Sequence, residues 1–364
     1  MRTLRTVTLN TGYDDHFTVG DPVWGGVAPM HSFRSVCSGK GISCARAATA
    51  LGVPNVAYAL VGGEDKPDYS RRLTEEGIVH RLISVPGATR HNLTLVDAAG
   101  EKVAAHFVAQ GFTLDGSDDV APLVDTLLGD VRPGDLVTLN GSVPTGLPAS
   151  TWADLARAVI ERGAEVIVDA QQQALVEALE VEGVLAFKPN DEEILAIPGV
   201  AAADPDDRVA VALEALRAAG VRLPMVSLGA RGVAYLPGPS IHLADQEAEA
   251  TAPHPRGTRD STPHPTAQDT ETAAPHPRGT RDSTPHTRGT RGQEIASLPV
   301  ERPVQSVMAG DSFVAGLAWG RFASDEPTQW LRHALAAAAA HVAGLTGTDL
   351  GARARENLAR ARLA

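Results

Sequence analysis

Short β-branched runs alternate along the chain with longer Ala/Leu/Arg-rich stretches whose apolar residues recur at helical spacing. A period of two giving way repeatedly to a period of 3.6 predicts βα units around a mainly parallel sheet. Strands are expected at 6–10, 56–61, 136–139, 166–168, 184–187 and 225–227. Helices are expected at 41–51, 67–77, 148–162, 191–197, 206–219, 311–322 and 328–343. Two further stretches, within 11–36 and 87–112, alternate as strands with no helix between them and are expected to form a small antiparallel lid. The residues just past the strands are polar or glycine: Asn10, Gly62-Gly63, Asn140-Gly141-Ser142, Asp169, Lys188-Pro189-Asn190 and Gly229 to Gly232. Open α/β sheets bind ligands at the carboxyl ends of their strands, so a site is expected there.

One segment breaks the pattern. From Gln246 to Gly292 there is no Val, Ile, Leu, Met, Phe, Tyr or Trp, and APHPRGTRDSTPH occurs twice, from Ala252 and again from Ala274. A repeat without large apolar side chains has nothing to bury against its neighbour, so 246–292 reads as a disordered insertion rather than a solenoid. Its histidines, His254, His264, His276 and His286, read as part of a solvated linker. The rest of the chain reads as one domain.

Composition narrows the class. Apolar residues make up 43% of the chain, as in globular proteins. The 44 acidic and 32 basic residues leave a net charge of −12, which argues against a broad basic surface for nucleic acid or anionic membrane. A small anionic substrate stays possible where cations are concentrated. Two cysteines, Cys37 and Cys44, are too few for a disulfide framework and lack a metal pattern. The start, MRTLRTVTLN, has no apolar signal-peptide run, and the alanine-rich stretch 335–345 is too short to span a bilayer. A cytoplasmic protein is expected.

Four motifs can carry chemistry. Ala309-Gly310-Asp311-Ser312 opens a helix with an acid in its first turn. Free amides there can hold a developing anion while the carboxylate takes a proton, although the same residues also make an ordinary helix cap. Ser38-Gly39-Lys40-Gly41 leads into another helix; its glycines permit close approach of a ligand and its ammonium can meet a phosphate or hydroxyl, or it is an exposed turn. Asn190 and Glu193 lie three apart after Lys188-Pro189, which suits hydrated Mg²⁺ and equally a capping box. Thr89-Arg90-His91-Asn92 begins a lid strand, where Arg90 can clamp a phosphate or sit as an ordinary strand residue. No Walker P-loop occurs.

In order and spacing these segments resemble the ribokinase-like PfkB carbohydrate kinases, most closely their 1-phosphofructokinase and tagatose-6-phosphate kinase branch. The resemblance covers nearly all of the chain outside the insertion. TLNTGYDD is similar to the family's TLNPAID, SGKGISCARAATALG to GGKGINVARALARLG, and GATRHNLTL to its TRxN lid segment. NGSVPTGLP, KPNDEEIL, SLGARG and SVMAGDSFVAG resemble SGSLPPGVP, KPNxxEL, SLGxxG and TVGAGDSFVAG. The resemblance implies a three-layer α/β/α fold with a β lid, and an enzyme that phosphorylates a ketohexose phosphate with ATP and Mg²⁺, fructose 1-phosphate being the expected acceptor. A kinase of another sugar (tagatose 6-phosphate, fructose 6-phosphate or an unphosphorylated sugar) and a non-catalytic sugar-phosphate binder are the alternatives. Position by position it makes Asp311 the catalytic base, with the amides of Ala309 and Gly310 as anion hole. Asp14, Gly39, Lys40, Ser43 and Asn92 would hold the sugar, and Lys40, Arg90 and Ser142 its phosphate. Ser227, Gly229 and Gly232 would line the nucleotide with Lys188 nearby, and Asn190 and Glu193 would organise Mg²⁺ through water. Family lids commonly pair, so a homodimer through the lid is implied.

The chain departs from the pattern at several positions. Met308 stands where the signature has glycine, and Ala170-Gln171-Gln172 replaces a Thr-Ser-Gly. Ser43 replaces the sugar-contacting asparagine, Ser38 a glycine, Asn140 a serine, and Thr11-Gly12-Tyr13 a Pro-Ala-Ile.

Overall fold

In the computed structural model the described residues are 2–20, 25–96, 103–236, 294–296, 298 and 308–361. The insertion at 246–292 and its histidines lie outside them. The chain begins β1 (Leu4–Thr8), β2 (Gly12–Val19), β3 (Met30–Ser38), α1 (Lys40–Leu51), β4 (Asn55–Gly62), α2 (Lys66–Glu75), β5 (His80–Val85), β6 (Arg90–Val96) and β7 (Val103–Phe107). It continues through α3 (Ala121–Asp130), β8 (Leu136–Asn140), α4 (Thr151–Ile160), β9 (Glu165–Asp169), α5 (Gln172–Leu179), β10 (Ala186–Phe187), α6 (Arg208–Ala218), β11 (Met225–Ser227) and β12 (Val233–Tyr235). Last come β13 (Glu294–Ala296), α7 (Ala309–Ala323), α8 (Pro327–Val342) and α9 (Gly347–Arg360).

Six strands form a parallel sheet in the order β10-β9-β8-β1-β4-β5. Both faces are covered, which is why these strands read as nearly unbroken apolar runs. Along β9, Val166 and Val168 join the core under α3 to α6, while Ile167 points to the opposite core under α1, α7, α8 and α9. The mainly parallel sheet expected from the alternation and the three layers that the resemblance implies are therefore present. An antiparallel sheet, β11-β12-β13, flanks it. Among the described residues no helix is long and apolar enough to cross a membrane.

The helix carrying the AGDS motif packs unusually close to its neighbour. A Cβ at Gly316 of α7 would lie 2.5 Å from the Cα of Ala334 in α8, so the glycine of the signature is where two backbones meet.

The lid sheet runs β3-β2-β6-β7. Its outer pairs are antiparallel, but β2 and β6 pair in parallel, Asp14 opposite Asn92 and Phe17 opposite Leu95. Period-two alternation gives it two different faces. Asp14, Ser38, Arg90 and Asn92 share one; Phe17, Phe33, Leu93, Leu95 and Phe107 share the other. Asp14 thus sits within β2, on the face it shares with Arg90 and Asn92. The element expected at 191–197 is only a 3₁₀ turn, Glu193–Ala196, and the strand expected at 184–187 narrows to Ala186–Phe187.

Candidate active site

The carboxyl ends of β1, β8, β9 and β10 meet the starts of α1 and α7. Gly39 precedes α1 at φ 125°, in the region open to glycine, and a Cβ there would lie 2.7 Å from Thr8 Cγ2. This turn brings Lys40 against the end of β9. Lys40 Nζ donates to Asp169 Oδ1 at 3.0 Å and lies 3.4 Å from Glu193 Oε1; Lys188 Nζ lies 3.4 Å from the same Asp169 oxygen. Burial alone would raise the Asp169 carboxyl, but Lys188 and Lys40 outweigh it and hold the group below its usual range. Lys40 shows the reciprocal effect: burial opposes its charge, yet Asp169 and Glu193 keep the ammonium above its ordinary value.

Asp311 is buried in the first turn of α7. Burial and then the negative charge of Asp169 push its carboxyl up to about 7, against the pull of Lys40 and Lys188, with Asp14 adding to the rise. Asp311 is thus an acid near neutrality in an electrostatic neighbourhood of two lysines and Asp14. Gly310 lies beside Lys188: a Cβ there would be 3.4 Å from its Nζ. The Asp311 and Ser312 amides both reach back to Met308 O at 3.1 Å.

Met308 itself has φ 65°, and Gln172 has φ 53°. Among the described residues these are the non-glycine positions in the left-handed region, and both stand where the family resemblance has glycine. A side chain in this conformation costs roughly 1 kcal/mol at each position. Ser43, expected at the sugar, donates its hydroxyl to Met308 Sδ at 3.1 Å.

On the lid, Asp14 Oδ1 accepts from Asn92 Nδ2 at 2.8 Å and from Ser38 Oγ at 2.9 Å. Arg90 donates to the carbonyls of Asn10 and Ala109, both at 3.2 Å, and its buried Nε has no partner. Burial holds the guanidinium below its ordinary value, with Asp14 opposing. Asn10 connects this arginine to the sheet, donating its side-chain amide to Ser142 Oγ at 3.0 Å. Arg90 and Ser142, paired on sequence, are therefore joined through Asn10.

The nucleotide-side expectations also form one neighbourhood. Ser227 donates through its amide and hydroxyl to Pro189 O at 2.9 and 3.2 Å, placing it against Lys188 and Asn190. Gly229 and Gly232 take φ 59° and 96° in the tight loop that follows, closed by Leu228 N to Gly232 O at 2.8 Å. The capping reading of Asn190 and Glu193 holds: Asn190 Oδ1 accepts from the Glu193 amide at 2.7 Å and Glu193 Oε2 accepts from the Asn190 amide at 3.0 Å. Their remaining capacity, Glu193 Oε1 and the unpartnered Asp169 Oδ2, is hard oxygen but too sparse for a direct cage. No cluster of three acidic, histidine or cysteine ligands occurs among the described residues. This donor set fits a Mg²⁺ that keeps its waters.

Motif reading did not single out Asp169 and Asn10. Both were visible only as strand-end residues, because their partners are brought in by tertiary structure.

A profile of the pfkB family carbohydrate kinases matches residues 18–262. The chain belongs to that family. The chain is 32% identical to a 1-phosphofructokinase of Xanthomonas campestris over 64% of its own length and 73% of the relative's. It is 32% identical to one of Rhodobacter capsulatus over 66% and 75%. Phosphofructokinase-2 of Escherichia coli shares the fold at TM-score 0.75 and 21% identity, covering 99% of each chain. A possible 1-phosphofructokinase of Thermotoga maritima does so at TM-score 0.72 and 19%, covering 100% and 99%. This pfkB member is an enzyme of the carbohydrate kinase class.

Proposed function

We propose that this kinase transfers the γ-phosphoryl group of ATP to a hydroxyl of a phosphorylated ketohexose, with fructose 1-phosphate as acceptor and fructose 1,6-bisphosphate as product. The observation that carries the reading is Asp311, buried at a helix start with its carboxyl raised to about 7. Such a group is ionised over much of the neutral range and still basic enough to take a proton. The acceptor hydroxyl gives its proton to Asp311 while its oxygen bonds to the γ-phosphorus. The bond from that phosphorus to the bridging oxygen breaks, and ADP leaves. The amides of Ala309 and Gly310, at the positive end of α7, face the charge that develops. Lys40 adds a cation that Asp169 holds in place.

A sugar phosphate is favoured over a neutral sugar by the lid arginine. Arg90 is half-buried, is held by two carbonyls rather than by a carboxylate, and keeps an unpartnered Nε. A desolvated guanidinium without an acidic partner suits an incoming phosphate, with Ser142 reached through Asn10. Asp14, Gly39 and Asn92 would hold the sugar. Ser227, Gly229 and Gly232 would line ATP beside Lys188. Glu193, held by the Asn190 cap, and the unpartnered Asp169 Oδ2 would hold Mg²⁺ through water, where it would neutralise part of the triphosphate charge. The names of the Xanthomonas and Rhodobacter relatives support the choice of fructose 1-phosphate.

The test is ADP release from ATP with fructose 1-phosphate, fructose 6-phosphate, tagatose 6-phosphate and fructose. The reading expects fructose 1-phosphate to give the highest kcat/KM. Preference for fructose itself would overturn the phosphate-binding part, and ligand-induced thermal shift without ADP release would overturn catalysis.

A further inference from the structure

We propose that Ser43 and Met308 act as one unit, a hydroxyl–thioether latch that fixes the left-handed turn in front of Asp311 and so holds the catalytic carboxylate and the adjacent amides in register. Ser43 is then a positioning residue rather than a sugar ligand. The proposal rests on the reading of Asp311 as the base.

Three observations support it. Met308 lies at φ 65° immediately before α7, in a conformation that a side chain disfavours, so something besides local preference must hold it there. Its carbonyl accepts the amides of Asp311 and Ser312, so any relaxation of the turn displaces the first turn of α7 directly. Its sulfur accepts the buried Ser43 hydroxyl at 3.1 Å, and Ser43 lies one turn into α1, whose first residue is Lys40. The latch thus ties the helix start that carries the lysine to the helix start that carries the acid. The departures at 43 and 308 are each other's partners.

The surroundings leave the methionine room to move. An open pocket of about 80 Å³ lies beside the pair, lined by Arg34, Arg46, Ala47 and Leu350 as well as by Ser43 and Met308. An unbranched methionine freed from its partner has room there for another rotamer, and the turn loses its restraint.

A mutant cycle tests this. Ser43→Ala removes the donor, and Met308→Leu removes the acceptor while keeping bulk and the Cβ. Each is expected to lower kcat about tenfold with both KM values within about twofold, and the double variant is expected to lose about tenfold, not a hundredfold. Met308→Gly, which takes φ 65° without strain, is expected to restore Ser43→Ala to within about threefold of wild type. Additive losses, no loss in the single variants, or a raised acceptor KM at unchanged kcat in Ser43→Ala would overturn the latch. The same cycle read by thermal unfolding separates this failure from failure of the kinase reading. Non-additive shifts in Tm support the latch even in a protein that does not turn over, and additive shifts contradict it.

Discussion

A carboxyl raised to about 7 by burial and by the charge of Asp169 has two consequences at the scale of single residues. As the proposed base, Asp311 must be ionised to work, so kcat/KM is expected to fall on the acid side with a midpoint near 7, measured as the pH profile of turnover at low acceptor concentration. The same shift acts on stability with the opposite benefit. In the unfolded chain Asp311 ionises near 3.8, and in the fold near 7, so folding favours the protonated form. That stabilisation is complete below about 4 and is lost as pH rises through 7. Asp311→Asn, which carries no charge, is therefore expected to exceed wild type in Tm at pH 8 and to converge with it near pH 4. A constant Tm difference across that range would contradict the burial argument. The acid was legible in the sequence from its place in a small-residue turn. Its electrostatics were not, because Asp169, Lys40 and Lys188 come from three separate strand-to-helix connections and meet only in the fold.

Elements were legible where a single period dominates. The strand-to-helix alternation and the helix that begins with Asp311 were readable, whereas α9 was not. It buries Leu350, Gly351, Ala354 and Asn357, so its inner stripe has helical spacing but little hydrophobic contrast. The lid strands were readable from alternation, yet the parallel pairing of β2 with β6 was not, since it joins segments far apart in sequence. That pairing places Arg90 and Asn92 on the face of Asp14. Arg90→Ala is accordingly expected to raise KM for a sugar phosphate about tenfold or more, the worth of a charge-assisted hydrogen bond, while moving KM for an unphosphorylated sugar within about twofold. Equal effects on both would remove Arg90 from the phosphate. In the helical layer, Gly316→Val forces a Cβ against the Ala334 backbone and is expected to cost about 3 kcal/mol in urea unfolding.

At the scale of the whole molecule, a chain of net charge −12 still groups cations locally: Lys40 and Lys188 meet at Asp169, and Arg90 lies on the polar face of the lid. The opposite lid face carries aromatic side chains beside the Asp15–His91 pair, with Phe33 53% exposed and the Phe17 and Phe33 rings 5.0 Å apart. We propose that a second copy covers it, as the resemblance implies; Phe33→Glu is then expected to halve the sedimenting mass, and an unchanged mass would refute the lid pairing. The proposed kinase chemistry turns on Asp311 moving the proton in phosphoryl transfer. Its most direct test is single-turnover transfer from ATP to fructose 1-phosphate by wild type and Asp311→Asn, with sugar-phosphate binding measured on the same samples. A loss of about a thousandfold in transfer with binding retained is the expected result for removing a general base. Transfer by Asp311→Asn at the wild-type rate would contradict it.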